Sequence, residues 1–203
     1  MLLEINPENM NEKYIDRVVD VLKKGGIIIF PTDSVYAMGC DVYNKKSLDQ
    51  LAKLKGIKLN KANFSIICHS HSDLSKYIKQ LDRPTFKLLN EYLPGPFTFI
   101  LTATNEIPKL FDSSRKEIGI RIPDNAIIQR IVEKLGNPIA TTSLRDDDSF
   151  LEYHNDPMEI YERYSEDVDL IIDGGYGKLE GTTVVDCTSG VPVIIRQGLG
   201  VLN

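Results

Sequence analysis

Apolar positions along the chain follow two periodicities in turn. Ile15, Val18, Val19 and Leu22 recur at helical spacing, and Lys23, Lys24 and Gly25 supply a basic last turn and a glycine stop, so a helix ends there. Gly26-Ile27-Ile28-Ile29-Phe30 is a short β-branched run bounded by glycine and by Pro31, which predicts a buried strand over Ile27–Phe30. The chain then leaves that strand through Pro31-Thr32-Asp33-Ser34-Val35-Tyr36-Ala37-Met38-Gly39. Ser47-Leu48-Asp49-Gln50 has the capping-box pattern and opens a helix with Leu48, Leu51 and Leu54 inward, stopped near Gly56. A strand over Asn63–Cys68 is followed by helical patterns over Ser72–Lys79 and Pro84–Tyr92, the second with Pro84 as its first residue. Pro94-Gly95-Pro96 breaks the chain before a strand over Phe97–Thr102, and a connecting region leads to a strand over Ile118–Pro123. Asp124 can cap a helix through Leu135 that ends at Gly136. A strand over Pro138–Thr142 runs into Ser143, and Asp156 with Pro157 opens a short helix within the acidic stretch from Asp146 to Asp169. Asp169–Ile172, Thr182–Cys187 and Pro192–Arg196 complete the strands.

Strands alternating with helices, then strands joined by short turns, imply one α/β domain over residues 1–203 with a mixed open sheet flanked by helices. With 42% hydrophobic and 26% charged residues among 203, the chain has an ordinary globular composition and enough length for one sizeable core. No apolar run approaches the roughly 20 residues of a membrane span, and the N-terminus lacks a basic segment followed by an apolar core, so neither membrane insertion nor a signal peptide is expected. Cys40, Cys68 and Cys187 are odd in number and widely spaced, which suits buried thiols in a cytoplasmic protein. A net charge of −5 argues against indiscriminate nucleic-acid binding and leaves room for a local basic face.

Standard chemical signatures are missing: GxxxxGK[ST], GxGxxG, CxxC and HExxH do not occur. His69, His71 and His154 sit in no nucleophile-elbow pattern, and His69-Ser70-His71 reads as an exposed pair without a third metal ligand. What recurs instead is polar groups at strand ends, where open α/β sheets place their ligands. Thr32 and Ser34 follow one strand, Arg121 sits within Ile-Gly-Ile-Arg-Ile-Pro, Thr141, Thr142 and Ser143 follow another, and Arg196 ends Val-Ile-Ile-Arg. An arginine in an apolar strand needs a partner. That partner is either a carboxylate of the protein or an anionic ligand, for which guanidinium forks and hydroxyls suit carboxylate and phosphate. Lys45, Lys46, Lys53, Lys55, Lys58 and Lys61 crowd the next helix and loop, either as a solvated face or as a footprint for ATP phosphates or an RNA backbone.

Taken together, these residues resemble the YrdC-like family, also called the threonylcarbamoyl-adenylate synthase family. Pro31–Gly39 is similar to its Pro-Thr-[Glu/Asp]-[Thr/Ser]-x-Tyr-x-[Leu/Met]-Gly, and Pro94-Gly95-Pro96-Phe97-Thr98 to its Pro-Gly-Pro-x-Thr. Ile118–Pro123 is similar to its [Val/Ile]-Gly-x-Arg-x-Pro, Thr182-Thr183-Val184-Val185-Asp186 to its Ser-Thr-Val-Val-Asp, and Ile195-Arg196-Gln197-Gly198 to its Arg-x-Gly ending. The resemblance implies a twisted α/β sheet with a concave ligand or RNA surface. It also implies synthesis of threonylcarbamoyl-AMP from L-threonine, bicarbonate and ATP, with Mg²⁺ accompanying the ATP, for the N6-threonylcarbamoyl modification of tRNA adenosine. It would place threonine on Thr32, Arg121 and Thr141, and ATP on Lys55, Lys58, Ser143 and Arg196, with Lys55 and Ser143 serving catalysis. Some members were described as binding double-stranded RNA, a role Lys53, Lys55, Lys58 and Lys61 would serve. Two departures, with Asn63-Phe64-Ser65 and Asp173-Gly174-Gly175-Tyr176, resemble the YciO branch: Lys55-Gly56-Ile57 stands where the synthases carry Lys-x-Arg, the arginine being lost unless Lys58 or Lys61 takes its place, and Ser143-Leu144-Arg145 where they carry Ser-x-Asn. Arg145 either adds an anion contact or pairs with Asp146–Asp148.

Overall fold

The computed structural model of the protein describes residues 1–144 and 155–203. Arg145, Asp146–Asp148 and His154, considered above from sequence, lie outside the described residues. The strands are β1 (Leu2–Glu4), β2 (Ile28–Phe30), β3 (Ala37–Asp41), β4 (Ser65–Ile67), β5 (Phe97–Thr102), β6 (Glu117–Arg121), β7 (Ile139–Ser143), β8 (Leu170–Asp173), β9 (Thr183–Asp186) and β10 (Val193–Arg196). They form one sheet in the order β1-β8-β2-β3-β7-β4-β6-β5-β9-β10. Its pairings are parallel between β1 and β8, β2 and β8, β4 and β6, and β5 and β9, and antiparallel elsewhere, so the sheet is mixed as expected.

Helices α1 (Glu12–Lys23), α2 (Lys45–Leu54), α3 (Arg83–Tyr92), α4 (Glu106–Phe111), α5 (Ala126–Leu135) and α6 (Pro157–Tyr164) flank it. On one face α1 and α5 bury Ile15, Val18, Val19, Leu22, Ile127, Ile128, Ile131 and Val132 against Ile28, Phe30, Ile67, Ile139, Leu170 and Ile172. A larger cluster on the opposite face joins Ile29, Met38, Ile66, Phe99, Ile120 and Ala140 to α2, α4 and their connections. The α1/α5 layer draws on β1, β2, β3, β4, β7 and β8 but on none of β5, β6, β9 and β10. Its cover is therefore partial, and this positions the site.

Several boundaries differ from the sequence reading. The N-cap of α2 is Asn44, whose side chain accepts from the Ser47 amide, and α2 begins at Lys45. Ser47 is inside the helix, where its hydroxyl donates to the Gly25 carbonyl at 2.7 Å instead of capping. Asn125 caps α5 and leaves Asp124 outside, and α3 starts at Arg83 with Asp82 as its cap. The segment read as a helix over Ser72–Lys79 is a 3-10 turn over His71–Lys76. The histidine pair separates: His69 is exposed, whereas His71 is half-buried with Nε2 3.3 Å from the Leu89 carbonyl. Cys40, Cys68 and Cys187 are buried free thiols, as expected.

Candidate functional site

The uncovered part of the α1/α5 face follows from strand register. Thr141 lies opposite Ser65, and Gly119 lies opposite Ile100 with Ser65 next to it on the other side. These side chains share a pleat, so a row of hydroxyls and one glycine crosses the middle of the sheet. A Cβ at Gly119 would overlap Ser65 Oγ and lie 3.1 Å from Thr98 Cγ2, so glycine keeps the row open. The cavity above it has a volume of about 650 Å³, within the roughly 300–1,000 Å³ of small-molecule sites. On the far side the β9–β10 register shifts between Ile194 and Arg196, an irregularity of the kind that re-aims side chains, and Ile195 and Arg196 both line the cavity. Among the described residues the wall carries Lys55, Lys61, Arg115, Arg121 and Arg196 against one carboxylate, Glu117.

Arg121 ends β6 and is buried. Its hydrogen bonds among the described residues all come from Nη2, at 3.3 Å to Thr32 Oγ1, 3.3 Å to Asp33 Oδ1 and 3.2 Å to Ser34 Oγ. Its Nε is buried and has no partner among the described residues. Of the two partners left open by the sequence, the protein carboxylate is present: Nη2 is ion-paired with Asp33, and Arg121 also lines the cavity. Asp33 is fixed from its other oxygen by the Asp124 amide at 2.8 Å. Burial pushes the Asp33 carboxyl up and the Arg121 guanidinium down from their ordinary values, and each partner's charge pulls the other back. The positive charge of Arg196 also pushes Arg121 down.

Thr32 stands behind this pair and does not line the cavity. Its hydroxyl donates to the Val35 carbonyl at 2.8 Å and accepts from the Ser34 amide at 3.0 Å and from Arg121, so its hydrogen-bonding capacity is spent within the loop. Ser34, two positions further on in the same loop, faces the cavity in its place. Thr141 lines the cavity but gives its proton to the Met38 carbonyl at 3.1 Å, which leaves it an acceptor. Arg196 donates from Nη2 to the Thr182 carbonyl at 2.9 Å, and Thr182 Oγ1 is 2.8 Å from Thr98 Oγ1. Of the remaining candidates, Lys55, Lys61 and Ser143 reach the cavity, whereas Lys53 and Lys58 are exposed outside its lining. Sequence reasoning named none of Ser65, Arg115, Glu117 and Gly119 as site residues, although Gly119 stood in the motif around Arg121. Ser65 carried a signal, a polar residue between Phe64 and Ile66 in an apolar strand; Arg115, in a run of polar residues, carried none.

Among the described residues this open α/β sheet carries a hydroxyl-floored, cation-rimmed cavity whose chemistry suits a small anionic ligand. Residues 20–198 match the Sua5/YciO/YrdC family model, described as telomere recombination, and the chain belongs to that family. It is 40% identical over 198 residues to the uncharacterised protein YciO of Escherichia coli (strain K12), covering 97% of this chain and 94% of YciO. The crystal structure of E. coli YciO matches with a TM-score of 0.89 over 98% of this chain and 96% of that one, at 39% identity. A threonylcarbamoyl-AMP synthase of Pyrococcus abyssi is 25% identical over 204 residues, which span 98% of this chain and 58% of the synthase. The crystal structure of P. abyssi Sua5 complexed with L-threonine shares the fold, with a TM-score of 0.87 at 23% identity over 98% of this chain and 57% of that one.

Proposed function

We propose that the protein is a cytoplasmic threonylcarbamoyl-AMP synthase-like enzyme that condenses the L-threonine amine with bicarbonate, losing water, and joins the resulting carbamate to ATP with release of pyrophosphate, supplying the N6-threonylcarbamoyl modification of tRNA. The observation that carries this reading is the unpartnered Nε of buried Arg121 in a cavity rimmed by cations. A buried donor left without an acceptor costs about 1–3 kcal/mol, a cost the fold carries at the edge of this cavity. Threonine's carboxylate meets Arg121, Thr141 and Ser34 accept from or donate to its polar groups, and Asp33 with Thr32 holds the guanidinium in place. ATP lies toward Lys55, Ser143 and Arg196. The carbamate oxygen of N-carboxythreonine attacks the α-phosphorus, the bond to the bridging oxygen breaks, and pyrophosphate leaves with the electron pair. The rim cations offset charge growing on the phosphates, and the fixed pocket supplies orientation, so no covalent nucleophile is required. Mg²⁺ bound to the triphosphate would neutralise further charge, with Glu117 as the cavity carboxylate able to meet it. Purified protein given ATP, Mg²⁺, bicarbonate and threonine should release pyrophosphate only when threonine is present; threonine-independent or absent release from folded protein refutes the assignment.

A second reading, a double-stranded RNA- or tRNA-binding homologue with altered synthase activity, draws on the exposed Lys45, Lys46, Lys53, Lys58 and Lys61 along α2 and the loop after it. It calls for duplex RNA or tRNA binding that weakens steeply with salt. Salt-insensitive binding, or none, removes it.

A further inference from the structure

Arg115 approaches the cavity from the end opposite Arg121. It precedes β6, and the four residue steps from Glu117 to Arg121 span roughly 13 Å of strand. Its guanidinium is half-buried, with Nη1 donating to the Ala62 and Phe64 carbonyls at 3.3 and 3.1 Å and Nη2 to Phe64 at 3.1 Å. It lies 5.2 Å from the Phe111 ring centroid. Among the described residues no carboxylate reaches it as an ion pair, although Glu117 is near enough to favour its charged form. Burial opposes that charge, so the protein holds a partly desolvated cation here, which among the described residues is balanced by two carbonyls, a ring and the more distant Glu117. The Nε–H makes no hydrogen bond among the described residues, and the group lines the cavity together with Lys61, the residue before Ala62. The same carbonyl anchors pin the guanidinium to the segment that follows Ile57, which is exposed and lines the same cavity.

We propose that Arg115 is an anion-binding residue of this cavity, presenting its fork with Lys61 to a phosphate of the nucleotide and supplying the guanidinium that position 57 does not. The inference rests on the reading of the cavity as a nucleotide-using site and deepens it. Carbonyl anchoring fixes the plane of the fork, which is the property that distinguishes arginine from lysine in phosphate recognition.

The test measures binding of inorganic tripolyphosphate and of MgATP by calorimetry, with melting temperature alongside, for wild type, R115Q, R115K and the double variant R115Q/I57R. R115Q should weaken both ligands about tenfold or more, with R115K intermediate, since a charge-assisted hydrogen bond is worth a factor of that order. R115Q/I57R should regain most of the loss, because a guanidinium carried by position 57 projects into the same cavity. Wild-type affinity in R115Q overturns the proposal. So does a loss of affinity matched by a fall in melting temperature that R115K prevents and I57R does not rescue, since Arg115 would then be a strut for the Ala62–Phe64 segment. Arg115-dependent tripolyphosphate binding without threonine-dependent pyrophosphate release supports the anion site while sinking the synthase reading. Full pyrophosphate release by R115Q with unchanged KM for ATP does the reverse.

Discussion

Replacing Asp33 by asparagine isolates the interaction that aims Arg121. The charged atoms are 3.3 Å apart and both side chains are nearly inaccessible. At that separation the attraction is about 5 kcal/mol for an effective dielectric of ~20, and the desolvation of both groups offsets part of it. In D33N the side-chain carbonyl can still accept from the Asp124 amide, but the new amide nitrogen would then face Arg121 Nη2, donor against donor. Removing one partner of a buried pair costs about 3–5 kcal/mol, and the Thr32 and Ser34 hydroxyls remain, so we expect D33N to lose roughly 3 kcal/mol. For a chain of this size that is a fall in melting temperature of roughly 6–12 °C. R121M should destabilise as well, and D33N/R121M should cost about 2 kcal/mol less than the two added together. The pH dependence of R121M carries a sign. Without the guanidinium, Asp33 keeps the burial that raises its folded pKa above the ordinary 3.8 and loses the charge that lowers it. A folded pKa above the unfolded one means that stability is fully present below the unfolded value and is lost as pH rises through the folded one, so R121M should be relatively more stable in acid. Scanning calorimetry from acid to neutral pH reads all three variants. A D33N melting within about 2 °C of wild type, and additive with R121M, would show that the hydroxyls alone position the arginine.

Two further predictions bear on the floor of the site and on its far support. G119V should place its branches over Ser65 and Thr98, cost about 1–3 kcal/mol through crowding, and abolish threonine-dependent pyrophosphate release; retained release in the folded variant would show that the ligand does not use this floor. On the α1/α5 layer, Arg130 first and Lys134 next hold Glu12 at about 2, against an ordinary 4.5. A depressed carboxylate contributes stability that is present above the unfolded value and lost as pH falls through the folded one, so wild type should weaken from about pH 4.5 to 2 while E12Q shows a flatter profile there. The group is exposed, so the difference should shrink with added salt, as urea titrations at two ionic strengths would show.

The eight strands expected from apolar runs all occur, because β-branched clusters such as Ile27–Phe30 and Val193–Ile195 specify strand on local grounds. The two that escaped notice, β1 and β3, are strands through pairing alone. β1 has three residues and follows β8 in parallel, and β3 reads Ala-Met-Gly-Cys-Asp, without a β-branched residue. Gly39 of β3 is required by what lies beside it, since a Cβ there would press on the Ala140 carbonyl at 2.5 Å, and no local pattern contains that neighbour. Helix α4 escaped because it is only six residues long with Pro108 inside it and so reads as a connection, although proline in a first turn forfeits no helical hydrogen bond. The site shows the same division. Arg121, Arg196, Ser143 and Lys55 were legible as strand-end and loop groups, whereas Thr32 had an inward role that only its three partners reveal, and Arg115 gained its place by anchoring to a segment some fifty residues earlier.

Among the described residues no helix covers this face, and its chemistry argues for an occupant. Along β4, β6 and β7 the apolar residues Ile66, Ile120 and Ala140 turn toward the larger core, and Ser65, Gly119 and Thr141 turn toward the cavity. A face intended for packing would carry apolar residues for a helix to cover, and one left merely to solvent would have no reason to bury a guanidinium at its edge. Here Arg121 is withdrawn from water, held from one nitrogen by three acceptors, and left with a donor that the described protein does not satisfy. Solvation of the group would not require Asp33 and two hydroxyls to fix its plane. Fixing a fork in advance lowers the entropy lost when a planar anion docks, and that is the arrangement a carboxylate-binding site needs.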